Sequence, residues 1–311
     1  MQPDFEQIEW DEATEEACRV VVRTALAEDL GRGGDHTSSA LVAPDVPGAA
    51  VIVVRRPGVL AGLPAISLVL EEVGGNVGLE RNIEDGATAD AGTQAATLRG
   101  AARSILTAER TILNLLGHLS GVATLTRQYV EAVAGTRAKI YDTRKTLPAW
   151  RRLEKYAVRM GGGHNHRLGL FDAILIKDNH LALLEHVDPK RPGSRSTPAD
   201  AVALARQYVD RLTRESATIR LPIEVEVDDL SNLDEVLSAA PDIVLLDNMS
   251  PHELLAAVGR RASIAPQVEL EASGGVSLET VRAIAETGVD RISVGALTHS
   301  ARWLDVALDW V

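Results

Sequence analysis

Four cations lie just beyond predicted strands or glycine turns in the middle of this sequence, where side chains are well placed for chemistry. They are Arg144, Lys145, Arg167 and Lys177. Residues 144–180 hold eight cations and three acids, a net charge of +5, whereas the whole chain of 311 residues carries −12. A positive segment in an otherwise acidic protein indicates a pocket that binds a small polyanion.

The types of these cations agree with that interpretation. A planar guanidinium group binds a carboxylate or phosphate through two parallel hydrogen bonds, and an ammonium group supplies a compact charge. Lys177 follows four apolar residues, and a cation at the buried end of a strand is costly without an anionic partner. For Arg151, Arg152 and Lys155, which share one predicted helix, we expect a solvated helix face instead.

Two acids also stand at predicted strand ends. Asp247 ends an unbroken apolar run, and Glu226 lies near the end of the predicted strand at 223–228. Carboxylates opposite a group of cations can bind Mg²⁺, directly or through water, and can accept hydrogen bonds from sugar hydroxyls. A structural ion pair with Lys177 or with an arginine is the alternative for either acid. Glu224 shares a strand face with Glu226, but the sequence does not decide what that face contacts, so we predict no role for it.

The last two junctions between strand and helix are rich in glycine. One contains Ser273, Gly274 and Gly275, and the other contains Gly295. Glycine allows backbone N–H groups to approach an oxyanion, and a helix predicted to begin near Ser277 would add its N-terminal partial charge. A phosphate site is therefore predicted at these junctions.

Several other kinds of site are not expected. His164 and His166 lack a third histidine or cysteine at a suitable spacing, so we do not predict a transition-metal site. Neither a phosphate-binding P-loop nor a dinucleotide-binding glycine fingerprint occurs. The acidic net charge disfavours general binding to nucleic acid or to an anionic membrane. The single cysteine, Cys18, excludes an internal disulfide framework, and the N-terminus does not read as a signal peptide, so we predict a cytoplasmic protein.

The elements that must position these residues can be predicted from periodicity. After residue 135, six short apolar runs alternate with helical segments, which is typical of parallel β/α units. The runs are 139–142, 173–178, 223–228, 242–247, 268–273 and 290–295. Six strands are fewer than the eight of a complete barrel, so we predict an incomplete barrel whose carboxyl ends carry the chemistry.

The first part of the chain has a different pattern. Residues 9–30 are predicted to form a helix, residues 48–100 the strands of a small mixed sheet with one helix around 64–73, and residues 104–133 one or two long helices. A connection at 187–198 is predicted to be a solvated loop before a helix that begins near Pro198.

Beyond these patterns, the motifs resemble those of a known family, the quinolinate phosphoribosyltransferases. The match covers about residues 25–300 in the order of the family. Its most specific motifs are Asp142-Thr143-Arg144-Lys145-Thr146, Gly161-Gly162-Gly163-His164-Asn165-His166-Arg167, Leu170-Phe171-Asp172, Ile176-Lys177-Asp178-Asn179-His180, Glu224-Val225-Glu226-Val227 and Glu271-Ala272-Ser273-Gly274-Gly275.

The resemblance implies an α/β protein with an N-terminal open-sandwich domain and a catalytic domain built as an incomplete parallel (β/α) barrel. We predict the first at residues 1–118, with the tail 299–311 packing back on it, and the second at 119–298. It also implies a homodimer or larger homo-oligomer with shared active sites. The reaction would join quinolinate to 5-phosphoribosyl 1-pyrophosphate with Mg²⁺ and release pyrophosphate and CO₂, giving nicotinate mononucleotide for NAD synthesis.

The resemblance further implies roles for individual residues. The predicted quinolinate-binding residues are Arg110 (supplied by the partner subunit), Arg144, His166, Arg167 and Lys177. The predicted donor-binding residues are Lys145, Lys177, Glu226, Asp247, Ser273, Gly274, Gly275 and Gly295. The predicted catalytic residues are Lys145, Glu226 and Asp247, and the last two would also hold Mg²⁺.

Three alternatives remain open from the sequence. The first is a related phosphoribosyltransferase that acts on nicotinate or another anionic ring. The second is an aldolase that forms a Schiff base at Lys177, and the third is a non-catalytic sensor of phosphosugars. The turn at 31–37 and the segment 187–220 are longer than expected for the family, which affects loop geometry and assembly rather than the predicted site.

Overall fold

The architecture is taken from a computed structural model, which describes residues 4–184, 197–216 and 221–311. Most of the predicted connection at 187–198, and part of the longer segment 187–220, lie outside the described residues. The helix predicted after this connection is confirmed, because Thr197 caps it in a reciprocal capping box with Asp200 and Pro198 occupies its first turn.

Twelve strands and eleven helices occur within the described residues. The strands are β1 Pro47–Val54, β2 Gly58–Val59, β3 Val77–Arg81, β4 Thr88–Ala89, β5 Gln94–Ala101, β6 Lys139–Tyr141, β7 Ile174–Ile176, β8 Ile223–Val227, β9 Ile243–Asp247, β10 Glu269–Ser273, β11 Arg291–Ser293 and β12 Val306–Trp310. The helices are α1 Glu12–Leu30, α2 His36–Leu41, α3 Ala65–Val73, α4 Ala102–Ala132, α5 Arg151–Met160, α6 Asp178–Leu184, α7 Pro198–Glu215, α8 Leu233–Ala239, α9 Pro251–Ile264, α10 Val281–Glu286 and α11 Ala296–His299. In this described part of the chain, no helix is both long and apolar enough to cross a membrane.

The chain divides into two compact units, each assembled from separate stretches of sequence. The sandwich unit comprises Gln7–Gln128, Lys145–His164 and Ala296–Val311. The barrel unit comprises the residues up to Glu6, Tyr129–Arg144 and Asn165–Gly295. The domain boundary between residues 118 and 119 stays a prediction.

The sandwich unit contains a four-stranded sheet with the strand order β12, β1, β5, β3. Every pairing in this sheet is antiparallel, so our prediction of a mixed sheet was wrong. Apolar runs reveal that strands exist but not the direction in which they pair, which depends on how the chain returns. The C-terminal strand β12 forms the edge beside β1, where Ile52 is paired with Leu308.

The barrel unit contains all six predicted strands, in one parallel sheet. Their order is β6, β11, β10, β9, β8, β7, and the two edge strands each pair with one described neighbour. The α/β fold with an incomplete parallel barrel is therefore confirmed. The register places Ser273 opposite Asp247, so the ends of β10 and β9 lie at one edge of the sheet.

Helix α5 corrects one expectation from the sequence. Lys155 and Glu154 are completely buried, and Arg152 donates to both carboxylate oxygens of Asp11, at 3.0 and 2.9 Å. The solvated face predicted for Arg151, Arg152 and Lys155 was therefore wrong for the last two. The sequence shows the charges on this helix but not the partners, such as Asp11, that compensate them from distant positions.

Candidate active site at the carboxyl ends of the barrel strands

Two arginines that the sequence predicted as anion-binding residues come together in the barrel unit. Arg167 is only 9% exposed, and burial together with the nearby charge of Arg144 lowers its pKa. Neither guanidinium group forms a hydrogen bond or ion pair with any residue that the structure describes, and Nε of Arg144 is buried. Two neighbouring guanidinium groups without a hydrogen-bonded or ion-paired anion indicate a site that is completed by an anionic ligand.

One buried carboxylate fixes the segments that carry these arginines. Asp142 follows β6 directly, two residues before Arg144. Its Oδ1 accepts a hydrogen bond from the backbone N–H of His166 at 2.9 Å, and its Oδ2 accepts one from Nδ2 of Asn165 at 2.7 Å. The carboxylate of Asp142 therefore holds the end of β6 next to the loop that precedes Arg167.

A second charged pair stands at the ends of β7 and β8. Lys177 Nζ forms an ion pair with Glu226 Oε2, and the lysine side chain is 41% exposed whereas the glutamate side chain is 17% exposed. The structural ion pair that the sequence left as an alternative is thus present. Asp247, on β9, accepts a hydrogen bond from Nδ2 of Asn248 at 2.7 Å.

The carboxylates of Glu226 and Asp247 fit an oxygen-coordinated cation by their chemistry. Mg²⁺ is usually held in proteins by one or two carboxylates together with water and substrate phosphates. Glu226 is already paired with Lys177, so a cation would be bound there through water or in exchange for that ion pair.

The glycine turn after β10 is shaped by its neighbour on β9. Gly274 and Gly275 have φ values of +89° and +60°, and the backbone N–H of Asn248 donates to Ser273 O at 2.9 Å. Helix α10 begins at Val281, so the expected helix start near Ser277 was wrong. Ser277 instead donates from its backbone N–H to the Thr280 hydroxyl. Any anion here would depend on the backbone amides of the turn rather than on a helix terminus.

A buried group behind Arg167 was only partly anticipated. Nε2 of His166 lies 3.1 Å from Glu224 Oε2 and 3.5 Å from Glu271 Oε1, and both glutamates are fully buried. Burial and the charge of Glu224 raise the pKa of Glu271 to about 7. Of these three residues, only His166 was given a role from the sequence; Glu224 and Glu271 were quoted in motifs without one. A signal existed, because each glutamate interrupts an apolar barrel strand at a position that shares a face with a strand-end polar residue.

These three side chains are close enough to hold a metal ion, but the histidine tautomer disfavours one. The backbone N–H of Arg167 donates to Nδ1 of His166 at 2.8 Å, so Nδ1 carries no proton. A histidine that binds a metal through one nitrogen normally donates a proton from the other. The proton of His166 must therefore lie on Nε2, facing the carboxylates. That no transition-metal site forms stays a prediction.

The remaining predicted residues lie in other places. Arg110 is exposed on α4 and Lys145 is exposed after β6, and both belong to the sandwich unit. The backbone carbonyl of Lys145 accepts a hydrogen bond from the Thr298 hydroxyl at 2.8 Å. Gly295 follows β11 at the end of the barrel unit. The roles of these residues stay predictions.

Comparison with protein families identifies two matching domain models. The model described as the N-terminal domain of quinolinate phosphoribosyl transferase matches residues 35–120. The model described as the C-terminal domain of the same enzyme matches residues 122–309. Together these ranges cover most of the chain.

Individual relatives agree with the domain models. Over 296 residues the chain is 48% identical to nicotinate-nucleotide pyrophosphorylase (carboxylating) of Mycobacterium leprae, covering 94% of this chain and 97% of that protein. It is 38% identical to a probable nicotinate-nucleotide pyrophosphorylase (carboxylating) of Bacillus subtilis, covering 91% of this chain and 89% of the relative. The solved structure of nicotinate-nucleotide pyrophosphorylase from Francisella tularensis superposes with a TM-score of 0.86 at 36% identity, covering 99% of this chain and 100% of that one.

Proposed function

Since the chain belongs to the quinolinate phosphoribosyltransferase family, we propose that it transfers the phosphoribosyl group of 5-phosphoribosyl 1-pyrophosphate to quinolinate. The transfer is accompanied by decarboxylation and gives nicotinate mononucleotide, pyrophosphate and CO₂, a step of de novo NAD synthesis. The family models and the named relatives support this reaction.

The observation that carries the proposal is the pair formed by Arg144 and Arg167. Quinolinate has carboxylates on two adjacent ring carbons, and two guanidinium groups without internal partners match that charge. A ligand with a single carboxylate would leave one of the two guanidinium groups without a bound anion. The arginine pair therefore favours quinolinate over nicotinate as the substrate.

The acids and the glycine turn are suited to the donor. Departure of pyrophosphate builds positive charge at the ribose C1, and the carboxylates of Glu226 and Asp247 can stabilise that charge. Backbone amides at Ser273, Gly274 and Gly275 can bind phosphate oxygens, with Gly295 on the adjacent strand end. Lys145 and Lys177 supply compact charges for the phosphate groups.

Mg²⁺ is the metal that we propose for the reaction. Glu226 and Asp247 would hold it, directly or through water, and when bound it would neutralise charge on the departing pyrophosphate.

The order of bond changes follows from charge. The pyridine nitrogen attacks C1 of the ribose as the bond from C1 to the pyrophosphate oxygen breaks, so the nitrogen becomes quaternary. The C2 carboxylate then leaves as CO₂, and the ring carbon beside the cationic nitrogen keeps the electron pair until it takes a proton from water. The arginines would hold the ring so that its nitrogen faces C1, which converts an encounter of two molecules into a positioned step.

We further propose that each site is shared between the subunits of a homodimer or larger homo-oligomer, with Arg110 coming from the partner subunit. The exposure of Arg110 is compatible with that role. The cytoplasmic location inferred from the sequence is part of the same proposal.

The test is release of labelled CO₂ from quinolinate that carries the label in its C2 carboxylate. We expect release that requires 5-phosphoribosyl 1-pyrophosphate and is lost when EDTA removes Mg²⁺. Nicotinate is the matched control substrate, and it should form nicotinate mononucleotide far more slowly. Equal turnover of nicotinate, or no release of CO₂ from quinolinate, would contradict the assignment.

The geometry disfavours the aldolase alternative. A Schiff-base lysine must attack as the neutral amine. The Lys177 side chain is instead ion-paired with Glu226 and 41% exposed, so it does not lie in the desolvated apolar pocket that activates such a lysine. Borohydride in the presence of a carbonyl substrate should therefore leave Lys177 unmodified.

A further inference from the structure

The histidine beside Arg167 has both ring nitrogens engaged inside the protein. Nδ1 of His166 accepts the backbone N–H of Arg167 at 2.8 Å. Since Nδ1 carries no proton, the ring proton lies on Nε2, which faces Glu224 at 3.1 Å and Glu271 at 3.5 Å. A ring in this state directs neither nitrogen towards an external carboxylate.

One face of the same ring is also covered. The ring of Phe5 stacks on that of His166 with a centroid distance of 4.2 Å and an interplanar angle of 26°. Phe5 is itself held in the barrel, because the guanidinium of Arg291 lies 5.4 Å from its ring centroid and 4.6 Å from that of Tyr141. Asp4 adds an ion pair with Arg291 at 3.0 Å. The histidine ring is therefore held by contacts at its two nitrogens and by stacking against Phe5.

What the fixed ring holds is the backbone of Arg167. On the other side of this arginine, the backbone N–H groups of Leu168 and Gly169 donate to the two carboxylate oxygens of Asp172, at 2.6 and 3.2 Å. The charge of Glu224 also acts on Arg167 and opposes the effect of Arg144 on its pKa. Arg167 is thus set in place by its backbone on both sides and by one buried carboxylate.

From this geometry we propose that His166, Glu224 and Glu271 are positioning residues that orient Arg167 for the carboxylate of quinolinate, and that His166 does not itself contact the substrate. The inference rests on the proposed function for the identity of the ligand. It revises the sequence-based expectation that His166 binds quinolinate directly.

A double-mutant cycle distinguishes action through Arg167 from direct contact. We compare the wild type, His166→Ala, Arg167→Ala and the double variant, with quinolinate binding measured by calorimetry on the full-length protein and KM measured for both substrates. We expect His166→Ala to weaken quinolinate binding about tenfold in the wild-type background and less than about twofold in the Arg167→Ala background. The KM of the phosphoribosyl donor should change less than twofold throughout. An equal loss in both backgrounds would show direct contact and overturn the proposal.

A milder variant serves if His166→Ala does not fold. Glu224→Gln keeps the shape of the side chain and removes its charge, so we expect a several-fold rise in the KM of quinolinate that disappears when Arg167 is alanine. Matched controls are His252→Ala on α9 and Glu235→Gln on α8, both at exposed positions, which should leave both KM values unchanged. A Glu224→Gln enzyme with the wild-type KM for quinolinate would contradict the role of the carboxylate.

The tautomer of His166 gives a readout that does not require substrate. Long-range ¹⁵N–¹H spectra of the full-length protein, assigned with the His166→Ala or His166→Gln variant, should show a ring protonated at Nε2 only. A ring protonated at Nδ1 overturns the proposal whatever the substrate is. If the ring is protonated at Nε2 but the wild type neither binds nor converts quinolinate, the proposed function fails and the positioning of Arg167 stands.

Discussion

Gly274 lies so close to Asn248 that a Cβ atom at position 274 would stand 2.2 Å from Asn248 Oδ1. Both residues have positive φ, +89° for the glycine and +54° for the asparagine. Asn248 follows β9 and Gly274 follows β10, so this contact joins two adjacent strand ends. The turn that presents backbone amides after β10 therefore requires a residue without a side chain.

The variant Gly274→Ala tests that requirement. We expect it to raise the KM of the phosphoribosyl donor at least tenfold and to lower Tm, because alanine combines a clash with a backbone conformation that costs about 1–3 kcal/mol. Steady-state kinetics and thermal unfolding measure both effects. The matched control is Gly259→Ala inside α9, where no described atom lies within 4 Å of the added Cβ and alanine is favoured by about 0.5–1 kcal/mol, so Tm should hold or rise. A normal donor KM for Gly274→Ala would exclude the turn from the donor site.

The arginine pair leads to a second prediction. Loss of a charged contact of about 1.5–3 kcal/mol should raise the KM of quinolinate about 10- to 150-fold in Arg144→Ala and in Arg167→Ala. The donor KM should stay within about twofold, because neither guanidinium group is assigned to the donor. Arg211→Ala, at an exposed position on α7, is the control and should behave as the wild type. If both barrel variants used quinolinate normally, the pair would not be its binding site.

Shared sites can be tested by mixing inactive variants. Arg110 and Lys177 are predicted to serve one site from different subunits, so hybrid oligomers of Arg110→Ala and Lys177→Ala should contain some sites with both residues intact. We expect each variant alone to be inactive and the mixture to regain a fraction of wild-type activity. Mass spectrometry should first verify that subunits have exchanged. Verified hybrids without activity would contradict a shared site.

The raised pKa of the buried Glu271 predicts how the stability of the protein depends on pH. Its pKa is raised from the ordinary 4.5 to about 7, mainly by burial and then by the charge of Glu224, while His166 and Arg291 oppose the shift. The folded protein therefore retains a proton that the unfolded chain releases, so this group's contribution to the free energy of unfolding falls as pH rises from about 4.5 to about 7.

Glu271→Gln cannot ionise, so it removes this dependence. We expect the difference in Tm, variant minus wild type, to be larger at about pH 8 than at about pH 5. Thermal unfolding at the two pH values measures it, with Glu235→Gln on the exposed face of α8 as the control that should show no such difference. The opposite sign would mean that Glu271 ionises more easily in the folded protein than in the unfolded chain.

The placement of chemistry at strand ends was predictable from the sequence. Arg144, Lys177 and Asp247 stand where an apolar run ends or just beyond it, and Glu226 is the last residue but one of β8. All six barrel strands were found from such runs. Short-range patterns suffice for this, because the local spacing of apolar residues shows where buried strands and helices alternate. Parallel strands then bring their carboxyl ends to one edge of the sheet.

Only the tertiary structure shows which residues that are distant in sequence contact or pair with each other. The burial of Lys155, the ion pair of Lys177 with Glu226 and the tautomer of His166 all depend on groups that are far apart in sequence or on the direction of a hydrogen bond. Local periodicity carries no information about either, because desolvation and hydrogen-bond geometry arise only when the elements pack. The sequence by itself therefore determined the fold class, the family and the residues at the strand ends, and the packed structure decided which buried charged groups lie together and which are paired.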